Sequence, residues 1–235
     1  MPGTLYLVPN LLGLVSPDSV LPARTIAVAR QLTRWIVETP KAARAFLKAL
    51  DMPRPIAEID IAALASEPDA RRIEDTLAAL RAGHDVGLLS DAGCPGVADP
   101  GAALVAAAHA SGIRVVPLVG PSAILLALMA SGMNGQRFCF HGYLPVKPEA
   151  RAAALRALER ESRSAARTAL CIETPYRNAA LLRAMAQTLA PDTRVCVAAD
   201  LTLASETVEC RTARAWRAQD PERFDRRPAI FLLQA

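Results

Sequence analysis

Aromatic side chains are scarce: they make up 4% of the 235 residues, against 52% hydrophobic overall, so the core must be built from Ala, Leu, Val and Ile. That apolar content is ample for a folded core and excludes a disordered chain. Trp35 and Trp216 read as core or surface anchors and not as stacking platforms. Cysteine appears five times, at 94, 139, 171, 196 and 210, with no Cys-x-x-Cys and no nearby histidine pair. The usual zinc spacings and a disulfide framework are thereby excluded; no metal is expected, and a reducing cytoplasm is the simplest compartment. Histidine is rarer still. His84 and His109 read as surface or packing residues, and His141, at a strand end, is the weak candidate among the three.

Other absences narrow the function. No Gly-x-Gly-x-x-Gly fingerprint, no Gly-x-x-x-x-Gly-Lys-Ser/Thr loop and no Gly-x-Ser-x-Gly elbow occurs, which disfavours NAD-linked hydride transfer, NTP hydrolysis and a hydrolase nucleophile. There is no block of consecutive Lys or Arg; the net charge of +4 is mild and dispersed over helical stretches. It is compatible with an anionic partner without specifying one. The longest apolar run falls well short of a membrane span. Met1 to Val15 is apolar but lacks a basic start and is broken by Pro9 and Gly13, so it reads as a strand and loop rather than a signal peptide. A soluble protein is expected.

What is present centres on Leu88-Leu-Ser-Asp-Ala-Gly-Cys-Pro-Gly-Val-Ala-Asp-Pro-Gly101. A short apolar run ends abruptly in small and polar residues, and the pattern then turns helical. Asp99 is the expected N-cap and Pro100 the first helical residue. A buried strand, a tight loop and a helix start form the ligand-cradling corner of an open α/β sheet. Glycines there permit close backbone approach.

Around it the chain alternates. Strands are expected at Leu5–Val8, Trp35–Glu38, Val86–Leu89 and Ile113–Pro117, with helices between. Thr39-Pro40 opens one helix as cap and first residue, and Ser66 is the expected cap of the helix carrying Ile73, Leu77 and Leu80. Residues 52–65 read as irregular, and the wholly apolar helix Ile124–Ser131 is expected to be buried on all sides. Strand–helix repeats favour a mostly parallel sheet. Gly132–Gln136 is the expected linker, dividing an α/β domain over 1–132 from a second over 137–235. The second half continues with strands at Phe138–His141, Thr168–Glu173 and Val195–Ala199. Glu206–Arg211 and Ala229–Leu233 then follow without long helices between them, so a mixed sheet is expected there.

Several strands end in small or polar residues: Pro9-Asn10, Glu38, Asp91-Ala-Gly93, Gly120-Pro-Ser-Ala123, Glu173 and Asp200-Leu-Thr202. In an open α/β sheet such ends converge on one rim, where ligands bind. Glu173 is costly at the end of a buried strand unless it is paired, solvated or bound to a cation. Arg177, one turn on, is placed to pair with it; a structural ion pair and a functional role both fit.

As an ordered set, these motifs resemble the tetrapyrrole (corrin/porphyrin) methylase superfamily, and within it the branch of small-subunit ribosomal RNA methyltransferase I, which methylates a cytidine ribose 2′-oxygen. Leu89 to Gly101 is similar to Ser-Asp-Ala-Gly-Thr-Pro…Ser-Asp-Pro-Gly. Val116 to Ala123, with Ala130-Ser-Gly132, is similar to Pro-Gly-x-Ser-Ala…Ser-Gly. Phe140 to Pro145 is like Phe-x-Gly-Phe-Leu-Pro, Glu173 to Arg177 like Glu-Ser-Pro-His-Arg, and Leu201-Thr202…Glu206 like Leu-Thr-Lys…Glu. The chain departs from that branch at Leu11-Leu-Gly-Leu14 (Pro-Ile-Gly-Asn), Thr39-Pro40 (Asp-Thr), Tyr176 (His) and Leu203 (Lys).

The resemblance implies two α/β domains, S-adenosylmethionine as methyl donor in the cleft between them, and usually a homodimer. It places Asn10, Leu11, Asp91, Ala92, Gly93, Val97, Ser122 and Ala123 on the cofactor from the first domain, and Ile172 and Asp200 from the second. Glu38, Glu173 and Glu206 are the carboxylates available as a general base. Lys41, Arg44, Tyr176 and Arg177 are the expected contacts to the acceptor, ribosomal RNA or the small ribosomal subunit. Two alternatives stay open: a methyltransferase acting on a tetrapyrrole or another small molecule, and a binding protein that holds the cofactor without catalysing transfer.

Overall fold

Val86–Leu89 is buried along its whole length and forms the centre of the first sheet. In the computed structural model, which describes residues 1–64 and 69–235, five parallel strands build that sheet: β1 (Thr4–Leu7), β2 (Arg34–Val37), β3 (Asp60–Ala63), β4 (Val86–Leu89) and β5 (Arg114–Pro117), in the order β3-β2-β4-β1-β5. The helices α1 (Ala23–Gln31), α2 (Pro40–Ala49), α3 (Ala70–Arg81) and α4 (Ala102–Ala110) lie between successive strands in the sequence. Parallel pairing demands such crossovers. Two apolar clusters result, one around Trp35, Phe46 and Leu47 and the other around Leu5, Leu80, Leu88 and Leu104.

The chain divides into two units, Met1–Ser122 and Ala123–Ala235. The second comprises α5 (Ala123–Ser131), β6 (Phe138–Tyr143), α6 (Pro148–Ala165), β7 (Thr168–Ile172), α7 (Asn178–Thr188), β8 (Arg194–Ala199), β9 (Thr207–Thr212), α8 (Ala213–Trp216) and β10 (Ala229–Gln234). Its sheet runs β6-β7-β10-β8-β9; β6 and β7 are parallel and the remaining pairs antiparallel, as expected for a mixed sheet. Leu155, Leu181, Met185, Trp216, Phe224 and Phe231 fill its core. Because α5 packs on β8, β9 and β10, the units divide ahead of Gly132. Residues around Asn134 are tied into the second unit, with Asn134 Nδ2 donating to Ala166 O and Thr168 Oγ1 to Asn134 O.

Thr39 and Pro40 are the cap and first residue of α2, as expected, although the Thr39 hydroxyl donates to Asp91 and not to the helix. Three local expectations need correction. Residues 60–63, expected to be irregular, form β3, an edge strand paired in parallel with β2. Asp99 is not the cap of α4: the helix starts from Gly101 at φ +132°, where a Cβ would lie 2.8 Å from Leu88 Cδ2. Finally, α5 is not buried all round, since Leu125 and Met129 are 56% and 77% exposed. An all-apolar helix carries no polar stripe to show which face packs. Ser66 lies outside the described residues; α3 is capped by Asp69, whose Oδ1 accepts from Arg71 N and Arg72 N.

Candidate functional site

At the carboxyl ends of β1, β2 and β4 the expected residues meet. Asn10 is buried and bound to the central loop on every side. Its N–H donates to Gly93 O at 2.8 Å, and its Nδ2 donates to Ser90 O and Asp91 O at 2.9 and 3.0 Å. Its Oδ1 accepts from Leu11 N at 2.8 Å. Asn10 therefore positions the loop. Glu38 and Asp91 interlock the neighbouring strand ends: Asp91 N donates to Glu38 Oε2 at 3.0 Å, while Thr39 N and Oγ1 donate to the Asp91 carboxylate at 3.0 and 2.6 Å. Each carboxylate satisfies an N–H that the end of the sheet leaves unpaired.

Asp99 joins this group, although sequence reading assigned it only a helix cap. Burial, then the nearby Glu38, raise its pKa to about 6; a hydrogen bond to Ser90 opposes them and Asp91 adds to them. The signal available in sequence was Glu38 and Asp91 at the ends of two strands and Asp99 further along the loop after β4, but only the fold shows that the three converge. Beside them opens a cleft of about 440 Å³ walled by residues 10–16, by Ala42, Ala45, Phe46 and Ala49 of α2, and by Asp91 and Ala92. Val97 lies in the same loop and is half exposed.

The raised Asp99 pKa makes a prediction about stability. An unfolded Asp titrates near 3.9, so between about pH 4 and 6 the folded protein holds a proton that the unfolded chain has released. Stability falls as pH rises through that window. The Asp99→Asn variant carries no such proton and is expected to gain on wild type, by on the order of 1 kcal/mol at pH 7.5 after allowing for solvent screening. Urea denaturation of both proteins at pH 4.5 and 7.5 measures it. A difference that does not change with pH would mean that Asp99 is unperturbed.

In the second unit, Glu173 follows β7 and Asp200 follows β8, on the same edge of the sheet. The Glu173 side chain is wholly buried. Its Oε1 accepts from Arg177 Nε and Nη2 at 2.9 and 2.6 Å and from Thr174 N at 2.7 Å. Oε2 has no hydrogen-bond donor among the described residues. The ion pair is thus realised, and Glu173 holds Arg177 while Tyr176 stands 77% exposed beside it. Asp200 Oδ2 accepts from Arg227 Nε at 2.7 Å and Ser205 Oγ at 2.8 Å. Sequence reading missed Arg227, which lies far along the chain from Asp200. Asp200 and Thr202 both adopt left-handed backbone, at φ +52° and +74°, a conformation that costs L-residues roughly 1–2 kcal/mol each. Glu206 helps hold it, its Oε2 accepting from Thr202 N at 2.7 Å.

Lys41 and Arg44 are exposed on α2 and form no ion pair among the described residues. With Lys48 they make one stripe at helical spacing, beside the stripe of Ala42, Ala45 and Ala49 that lines the cleft. Ser122 and Ala123 fall at the junction of the two units, and Ile172 ends β7 opposite Tyr143 and Ile230. His141 is half-buried in β6; burial lowers its pKa, and its charged neighbours are Glu161 and Arg167.

The fold is shared with a solved methyltransferase, CobJ, at a TM-score of 0.63 and 19% identity, over 98% of this chain and 92% of that one. Two α/β units, with a polar, small-residue loop after the central strand of the first, carry that fold here, and the methyltransferase class follows from the family. The chain belongs to the Tetrapyrrole (Corrin/Porphyrin) Methylases, whose family model matches residues 21–215. It is 34% identical to the Ribosomal RNA small subunit methyltransferase I of Xylella fastidiosa over 99% of this chain and 81% of that protein. The protein of that name from Escherichia coli O157:H7 is 37% identical over 68% of this chain and 56% of its own length.

Proposed function

We propose that this protein transfers a methyl group from S-adenosylmethionine to a ribose 2′-oxygen of small-subunit ribosomal RNA, in the cytoplasm and as a homodimer. The observation that carries the reading is the 34% identity, along 99% of the chain, to a relative named for ribosomal RNA methylation. The first unit's rim suits a cationic ligand. Burial, and after it the nearby Glu38 and Asp91 carboxylates, raise the Asp99 pKa, and a positive charge beside the three relieves their repulsion. Asn10, Leu11, Asp91, Ala92, Gly93, Val97, Ser122 and Ala123, with Ile172 and Asp200, are the residues assigned to the cofactor.

S-adenosylmethionine supplies an already activated methyl on a sulfonium. The chain's own residues then have to hold, orient and exclude water. Asn10, Glu38 and Asp91 fix the central loop, and Glu206 and Arg227 fix the loop after β8. Glu173, wholly buried, acts through Arg177, and we assign the exposed Lys41, Arg44 and Tyr176 and the half-buried Arg177 to the acceptor.

The test is transfer of labelled methyl from the donor to small ribosomal subunits taken from a strain lacking the protein. Label is expected in the RNA, in dinucleotides that resist alkali, because a 2′-O-methyl group blocks attack by that oxygen. Label on a base, or none, refutes the assignment. Each phosphate contact steepens the salt dependence of binding by about 0.7–0.9 in log–log slope. Replacing both Lys41 and Arg44 by alanine is expected to weaken RNA binding and flatten that slope by about 1–2, with cofactor affinity unchanged. An identical slope would place these charges on an idle face.

A further inference from the structure

Cys196 and Cys210 face each other directly in the antiparallel β8–β9 ladder. Directly opposed residues on such strands have Cα atoms about 4.5–5.5 Å apart, inside the span of about 4.4–6.8 Å that a disulfide bridges. All five cysteines are free thiols, and this pair differs in environment: Cys196 is wholly buried, whereas Cys210 is exposed. We propose that Cys210 and Cys196 form a peroxide-responsive dithiol, in which Cys210 is the attacking thiolate and Cys196 resolves it into a cross-strand disulfide.

Reactivity is concentrated on Cys210. The hydrogen bond from the Cys196 thiol lowers its pKa, burial opposes, and the Arg194 guanidinium lowers it further. Cys94 and Cys171 are quieter. Burial and Asp99 raise Cys94, and burial with Glu173 pushes Cys171 up to about 12. An accessible low-pKa cysteine beside a second thiol is the arrangement that reversible thiol oxidation requires.

The chemistry balances with hydrogen peroxide as oxidant. The Cys210 thiolate attacks one peroxide oxygen, the O–O bond breaks, and the leaving hydroxide takes a proton to become water. Cys196 then attacks the sulfenic sulfur, the S–O bond breaks, a second water leaves and the S–S bond forms. The product staples the hairpin whose turn carries Asp200, Thr202 and Glu206.

Both cysteines lie on one tryptic peptide, residues 195–211, so the test is direct. Reduced full-length protein is treated with limiting hydrogen peroxide, alkylated under denaturing conditions and digested. Titratable thiols are expected to fall from five by two. The 195–211 peptide should be unalkylated and two hydrogens lighter, and dithiothreitol should restore all the thiols. In Cys196→Ala, Cys210 should stop at the sulfenic acid, trapped by dimedone; Cys210→Ser should lose no thiol at the same dose. The proposal fails if another cysteine oxidises first, if Cys210→Ser reacts as fast as wild type, or if Cys210 over-oxidises while Cys196 is alkylated. Should Cys196→Ala not fold, the wild-type peptide alone decides.

Discussion

Replacing Arg177 by alanine is expected to destabilise the protein by about 3–5 kcal/mol, the range for removing one partner of a buried ion pair. The Glu173 side chain has no exposed surface, and its Oε1 takes both guanidinium donors, at 2.6 and 2.9 Å. Without Arg177 that carboxylate keeps only the Thr174 N–H and a long contact from Thr174 Oγ1 at 3.3 Å. A Glu173→Gln, Arg177→Met double variant removes both charges and should recover more than half of the loss. Urea denaturation of the single and double variants beside wild type checks both statements. A single variant within about 1 kcal/mol of wild type, the range of an exposed pair, would mean that the pair contributes no more than a surface contact.

That ion pair was legible because its members stand four residues apart, one helical turn. The same reason explains most of what sequence supplied: β4 and its loop, the alternation of strands and helices, and the shift to a mixed sheet are local patterns of apolar runs, glycines and prolines. What escaped is what depends on residues distant in the chain. Asp99 resembles a helix cap locally, and only the pairing of β2 with β4 brings Glu38 beside it. Thr39 likewise reads as a cap, yet its hydroxyl goes to Asp91. Arg227 joins Asp200 only because β10 lies between β7 and β8. The strand β3 was missed for another reason: Asp60-Ile-Ala-Ala63 is short, weak in strand-forming residues, and held at the sheet edge by one neighbour.

Substituting Gly93 by valine is expected to lower affinity for S-adenosylhomocysteine by more than tenfold, which is 1.4 kcal/mol or more. Gly93 sits at φ +66°, where an L-residue pays roughly 1–2 kcal/mol and a β-branched one more. A Cβ there would already stand 3.3 Å from Leu12 Cδ2 and 3.6 Å from Pro121 O, and valine adds two methyl groups beyond it. Relief by moving residue 93 drags the rest of the loop, because Gly93 O accepts from Asn10 N, and Asn10 Nδ2 holds Ser90 O and Asp91 O. Gly112→Val supplies the control. It has the same φ of +66°, with nothing within 4 Å of its Cβ, so it bears the backbone strain in open space at the end of α4. Gly93→Val should lose at least as much stability as Gly112→Val, but only Gly93→Val should lose ligand. Calorimetric titration of the three proteins with S-adenosylhomocysteine decides. If Gly93→Val binds as tightly as wild type, the loop after β4 does not touch the cofactor; if Gly112→Val weakens equally, the loss comes from general destabilisation.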